Sequence, residues 1–213
     1  MNSPDWAQRL PYRLALTRSF RYLRGVRGVG LVLLLVSGLG CAPKSKSPAE
    51  AYARFSQAVS AGDGGALFDA LDPPTRWAYL SLQKFHREAY DIVLSNYPEG
   101  SARERELHRF QRGATATSGR ELFKADVAPG LLPMLKPLAV PDAQIETAPS
   151  GTEAAAVLPS GARVALARGD NGGWGYAGLA KQDIDGRMRA YLDLELVRAS
   201  AADYERAAAR AAK

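Results

Sequence analysis

The sequence predicts an α+β domain, with N-terminal helices packed on a small antiparallel sheet of three to four strands and a C-terminal helix. Three observations carry this. Helix starts are marked by Ser or Asp followed at once by Pro, as in Ser47-Pro48 and Asp72-Pro73. Between residues 144 and 177, short runs are divided by Pro-Ser-Gly and Gly-Asp-Asn-Gly, which is hairpin chemistry. Beyond about Asp183 the apolar spacing becomes helical again. Helices followed by antiparallel strands leave the helices segregated onto one face of the sheet.

The elements follow in order. Ser47-Pro48-Ala49-Glu50 is a capping box opening a helix to about Ala61, with Tyr52, Phe55 and Val59 on one face. Gly62-Asp63-Gly64-Gly65 ends it, and a short helical piece carries Leu67, Phe68 and Leu71. Asp72 caps a third helix to about Ser95, whose Trp77, Leu80, Phe85, Ile92 and Val93 predict a largely buried element. Ser101-Ala102-Arg103-Glu104 is a second capping box, opening a charged helix to about Arg112, and Ser118–Glu121 is a third. From Pro129 to Pro141 the prolines predict only short, broken elements.

Strands are expected over 144–147, 153–158, 163–168 and 173–177. Val164 and Leu166 share one face of the third, and Trp174 and Tyr176 share one face of the fourth. Met188, Tyr191, Leu192 and Val197 mark the helix after Asp183, and Ser200 is the expected cap of a final helical extension over 200–213. The domain layout is thus a signal peptide at 1–40, an anchor and tether at 41–47, an α+β domain at 48–199 and the extension.

The formal net charge of +6 suggests an acidic partner until it is located. Arg9, Arg13, Arg18, Arg21, Arg24 and Arg27 stand against Asp5 alone in residues 1–40, so the remainder carries a net of only +1. The basicity belongs to the leader, and non-specific nucleic-acid binding loses its electrostatic support.

Val29 to Leu39 is an apolar run too short to span a bilayer, preceded by the Arg-rich segment and followed by Gly40 and Cys41, the sole cysteine. This resembles the lipobox of bacterial lipoproteins, although Gly38 stands where that pattern has Leu. The resemblance implies cleavage after Gly40, acylation of the Cys41 thiol, and a membrane partner reached through the lipid. The alternative is an ordinary secreted chain cut near Gly38 or Gly40 with a free thiol. No paired arginines precede the apolar run, so a twin-arginine signal is not expected. The Arg-rich segment is long for a signal, which raises the expectation of a later start, with Val26 a candidate. Ala-Pro-Lys-Ser-Lys-Ser-Pro after Cys41 predicts an extended, unpacked tether. Ala42 lacks the Asp of the inner-membrane retention rule, so the expected address is the bacterial outer membrane, facing the periplasm.

Tyr52 to Leu71 (YARFSQAVSAGDGGALFDAL) resembles the opening helices of the nuclear transport factor 2-like, or cystatin-like, fold. The long helical stretch Trp77–Lys136 and the C-terminal helices depart from that fold. The resemblance implies a domain of the kind found in small bacterial lipoproteins, and enzymes of the family use an Asp/His or Tyr/Asp set inside a cone. No motif carries those roles to positions here.

Chemistry is thinly marked. His86 and His108 have no partner spacing for a metal, and no metal or other cofactor is expected. Glu88, Asp91, Asp183 and Asp185 read as capping or solvated carboxylates, and catalytic residues are not identifiable. The candidate pocket set is Trp77, His86, Tyr90, Trp174 and Tyr176, against the plainer reading that the aromatics are core. The expected role is therefore a binding or scaffolding domain for an envelope protein or a small apolar ligand. An enzyme with a cone-like pocket is the alternative.

Overall fold

The computed structural model describes residues 44–212, apart from the Ile184 side chain; Gly40, Cys41 and the leader lie outside the described residues. The architecture is α+β: among the described residues, seven α-helices and a four-stranded antiparallel sheet of order β1-β2-β3-β4.

Helix α1 (Pro48–Ala61) starts where Ser47 Oγ accepts the Glu50 N–H at 3.2 Å, and Gly62 closes it at φ 66°, a conformation glycine adopts at little cost. Asp63 caps α2 (Gly64–Ala70) through the Gly65 and Ala66 N–H groups. Asp72 caps α3 (Pro73–Asn96) through the Thr75 N–H. Helices α4 (Ser101–Thr115) and α5 (Gly119–Leu122) follow. A π-helical turn (Phe123–Val127) then leads into α6 (Ala128–Leu135) and a 3-10 turn (Lys136–Leu138).

Strands β1 (Gln144–Thr147), β2 (Glu153–Val157), β3 (Arg163–Arg168) and β4 (Trp174–Tyr176) form a meander. Ala154 and Ala156 stand opposite Leu166 and Val164 on the buried face. The tight hairpins use glycines at positive φ, such as Gly172 in the β3–β4 turn. Helix α7 (Ala180–Ala211) completes the chain.

Two cores result. The first holds the inner sheet face against α1, α2 and the Leu122–Leu135 region, with Phe55, Leu67, Phe123 and Val164 almost wholly buried. The second is a three-helix core of α3, α4 and α7 around Val93, Phe110, Leu194 and Val197. Helices α3 and α7 run parallel. Their partners, Tyr79 with Asp183, Phe85 with Tyr191, Glu88 with Arg198 and Tyr97 with Tyr204, rise together along both. Helix α4 returns antiparallel, with Gln83 donating to the Ala116 carbonyl and Arg103 to that of Leu94.

The Pro129–Pro141 region holds short elements as expected, the eight-residue α6, with Pro129 in its first turn where the missing N–H is no loss, and a three-residue 3-10 turn. Four expectations are corrected. Ser101 does not cap α4: Gly100, at φ 138°, makes the turn, and Ser101 is already helical. Helix α7 runs unbroken through Ser200, since no Gly or Pro interrupts it there and Ala201 and Tyr204 gain burial against the three-helix core. Helix α3 is not buried throughout, with Trp77 65% exposed. The tether is not wholly unpacked: Ser45 is buried and its carbonyl accepts the Trp174 N–H at 3.0 Å.

Candidate functional site

The five pocket candidates do not converge. Trp77 is on the surface of α3. Trp174 and Tyr176 are buried in the sheet core, where Tyr176 lies 4.5 Å from the Phe55 ring. His86 and Tyr90 belong with the helices instead. Tyr90 packs at the edge of the three-helix core, and His86 meets the Phe110 ring edge-on at 5.7 Å. Gly113 makes that seat possible, because a Cβ there would stand 2.3 Å from His86 Nδ1. Burial holds the imidazole below its ordinary value; the charge of Arg109 adds to this, while Asp193 and Asp126 oppose it.

A different constellation lies where the two cores meet. Tyr79 on α3 donates its hydroxyl to Asp183 Oδ1 at 2.7 Å, across 104 residues of sequence. Burial pushes the Asp183 carboxyl up to about 6; the Tyr79 hydrogen bond opposes this and the Asp72 charge adds to it. Asp183 Oδ2 is buried and has no hydrogen-bond partner among the described residues. Asp72, itself buried at the cap of α3, is also raised by burial, and Tyr176 is raised by burial and by the Asp183 charge. The Tyr79 phenol is raised further for the same two reasons, with its bond to Asp183 contributing.

The chain is forced together here. Leu71 bridges to Tyr176 beside β4, and the Asp72 N–H donates to the Tyr176 carbonyl at 3.0 Å. A Cβ on Gly175 would sit 2.4 Å from the Leu71 carbonyl oxygen, so only glycine admits the crossing. An orphaned carboxyl oxygen in such a joint can hold a proton near neutral pH, and it ties α7 to α3. The sequence marks Asp72 as a cap and gives no sign of Asp183, whose surroundings arise only once α7 lies along α3.

The larger clefts lie elsewhere, open to the surface. One of about 450 Å³ separates α1 from residues 140–145, lined by Tyr52, Ser56, Val140 and Ile145. Another of about 580 Å³ lies between the end of α3 and the tail of α7, lined by Tyr97, Tyr204 and Ala208. Among the described residues no group of three or more His, Cys, Asp or Glu is placed to hold a metal ion, and no helix is long and apolar enough to cross a membrane.

The surface carries one further feature. Met188, Leu192 and Leu196 recur every four residues along the outer side of α7, at 51%, 53% and 64% exposure. Tyr191 borders them and packs on Phe85, while Trp77 and Leu80 are exposed on the adjacent α3. Comparison of the chain with family models, with curated proteins and with solved structures finds no match.

Proposed function

We propose that this chain is a bacterial envelope lipoprotein, anchored through acylated Cys41, whose domain binds or scaffolds a protein partner. The observation that carries the binding role is the apolar stripe Met188-Leu192-Leu196. It leaves large side chains in water on a helix whose opposite face is fully packed. The anchor rests on the apolar leader ending in Gly40-Cys41, and outer-membrane delivery on Ala42. A protein fits the stripe better than a small ligand, which needs a concave, enclosing site.

Two variants test the two halves. Cys41→Ala is expected to move the protein from the membrane to the soluble fraction; retention on the membrane after signal cleavage contradicts the anchor. Leu192→Glu with Leu196→Glu is expected to leave the melting temperature nearly unchanged and to abolish crosslinking of the protein to its partner in intact cells. Unchanged crosslinking contradicts the binding face.

The enzyme with a cone-like pocket draws on one observation, the unpartnered oxygen of Asp183 beside Tyr79. It requires a substrate path to that oxygen, and the clefts described above lie elsewhere. Asp183→Asn separates the readings: a structural joint keeps function in cells, whereas an acid–base role loses it with the fold intact.

A further inference from the structure

We propose that the β3–β4 turn, together with the Lys44–Lys46 segment that covers the edge of β4, forms the membrane-facing surface of the domain, held against the lipid headgroups by a tether only a few residues long. The inference rests on the Cys41 anchor and adds to it an orientation.

The argument begins at Ser45. Its carbonyl pairs with the Trp174 N–H, and its residue is buried, so the chain is fixed to the β4 edge from Ser45 onward. Lys46 and Ser47 are fixed in turn, the Lys46 N–H bonding the Glu50 carboxylate at 2.8 Å and Ser47 capping α1. Four residue steps separate Cys41 from Ser45. Even fully extended they span about 14 Å. A tether of seven residues, as the composition alone suggests, would let the domain tumble; one of four steps keeps the same edge near the bilayer at all times.

The chemistry of that edge fits a headgroup surface. Lys44 and Lys46 are exposed on either side of Ser45. Arg168, also exposed, donates to the Gly172 carbonyl inside the turn. A Cβ on Gly173 would touch the Lys44 side chain at 3.5 Å, which places Lys44 along the same turn. Asp170 is the opposing charge there. Basic side chains beside a lipid anchor add attraction to anionic headgroups. Helix α3 begins at this turn, since a Cβ on Gly169 would meet the Pro73 ring at 2.5 Å. Its 24 residues carry Glu99, just beyond its end, roughly 36 Å along the helix axis from that start.

The test uses the full lipidated protein reconstituted in liposomes that carry a headgroup-attached fluorescence quencher. Acylation occupies Cys41, so Asp170→Cys and Glu99→Cys each provide a single labelling site on an exposed residue. Flotation with the liposomes is scored first, and its failure overturns the anchor and this inference together. With the protein bound, quenching at position 170 is expected to exceed that at position 99 by at least about threefold. Inserting eight Gly/Ser residues between Pro43 and Lys44 is expected to bring that ratio close to one while flotation persists. Equal quenching without the insertion, or a ratio the insertion leaves unchanged, overturns the orientation and leaves the anchor standing.

Discussion

Around the sheet, buried aromatic rings meet one another: Phe68 with Phe123 at 5.7 Å, Tyr79 with Phe123 at 5.0 Å, and Phe55 with Tyr176. Helices α1 and α2 and the turn around Phe123 close this core on the helical side. Around α3, α4 and α7 the buried set is smaller and is rimmed by ion pairs, Arg109 with Asp193 at 2.5 Å and Arg198 with Glu88. The outer side of α7 is left uncovered. The sheet core spends its apolar residues on itself, and the helical core leaves several of them outward. The first region is closed on itself, whereas the second leaves the face for which binding is proposed, with Tyr79–Asp183 joining the two.

The largest expected effect is on the closed core. Phe123→Ala is expected to cost about 3–5 kcal/mol in chemical denaturation, because a fully buried ring leaves a cavity. Leu194→Ala, in the helical core, is expected to cost about 2–5 kcal/mol. Hydrogen exchange sharpens the comparison: the Leu194 variant should expose amides of α4 and α7 before those of β2 and β3. Simultaneous loss of both sets would make the two cores one cooperative unit.

Next comes the crossing at β4. Gly175→Ala is expected to destabilise by about 1–3 kcal/mol, since the added methyl meets backbone rather than a movable side chain. A neutral result would mean that residues 71–72 can retreat from the strand.

The joint between the cores and the helical core titrate in opposite senses. Asp183 at about 6 in the fold, against an ordinary 3.8, binds more protons folded than unfolded. Its contribution is therefore lost as pH rises from about 4 to about 6. His86, held below 6.5, binds fewer protons folded, so its contribution is complete above 6.5 and is lost as pH falls from there through its lower folded value. Asp183→Asn should raise stability at pH 7 relative to pH 4, and His86→Gln should flatten the loss on the acid side. Stability measured against pH for both variants checks the signs. An unchanged profile for Asp183→Asn contradicts the account of the joint.

The smallest effect is at the rim. Arg198→Ala, removing pairs with Glu88 and Glu195 on an exposed surface, is expected to leave the denaturation midpoint nearly unchanged, and any small difference to vanish at high salt.

Local chemistry was the legible part of the sequence. Ser47, Asp72 and Ser118 cap helices as their spacing predicts, and the strands fall within a residue of the runs marked by Pro-Ser-Gly and Gly-Asp-Asn-Gly. Misreadings arose where a long-range partner decides. Ser200 looks like a cap until Tyr97 is brought against Tyr204, 4.9 Å between rings. Trp77 looks like a core residue because apolar spacing identifies a face without saying whether anything covers it. Asp183 looks solvated because the groups that bury it, Tyr79 and Asp72, lie more than a hundred residues earlier.

The most direct test is site-specific photocrosslinking in intact cells, comparing a photoreactive residue at Leu192 with one at Ala165 on the solvent face of β3, both exposed. A crosslinked protein band from position 192, absent from position 165 and abolished by Leu196→Glu, is the predicted result. Equal labelling from both positions, or none from position 192 while the protein remains folded, would contradict the assignment of recognition to α7.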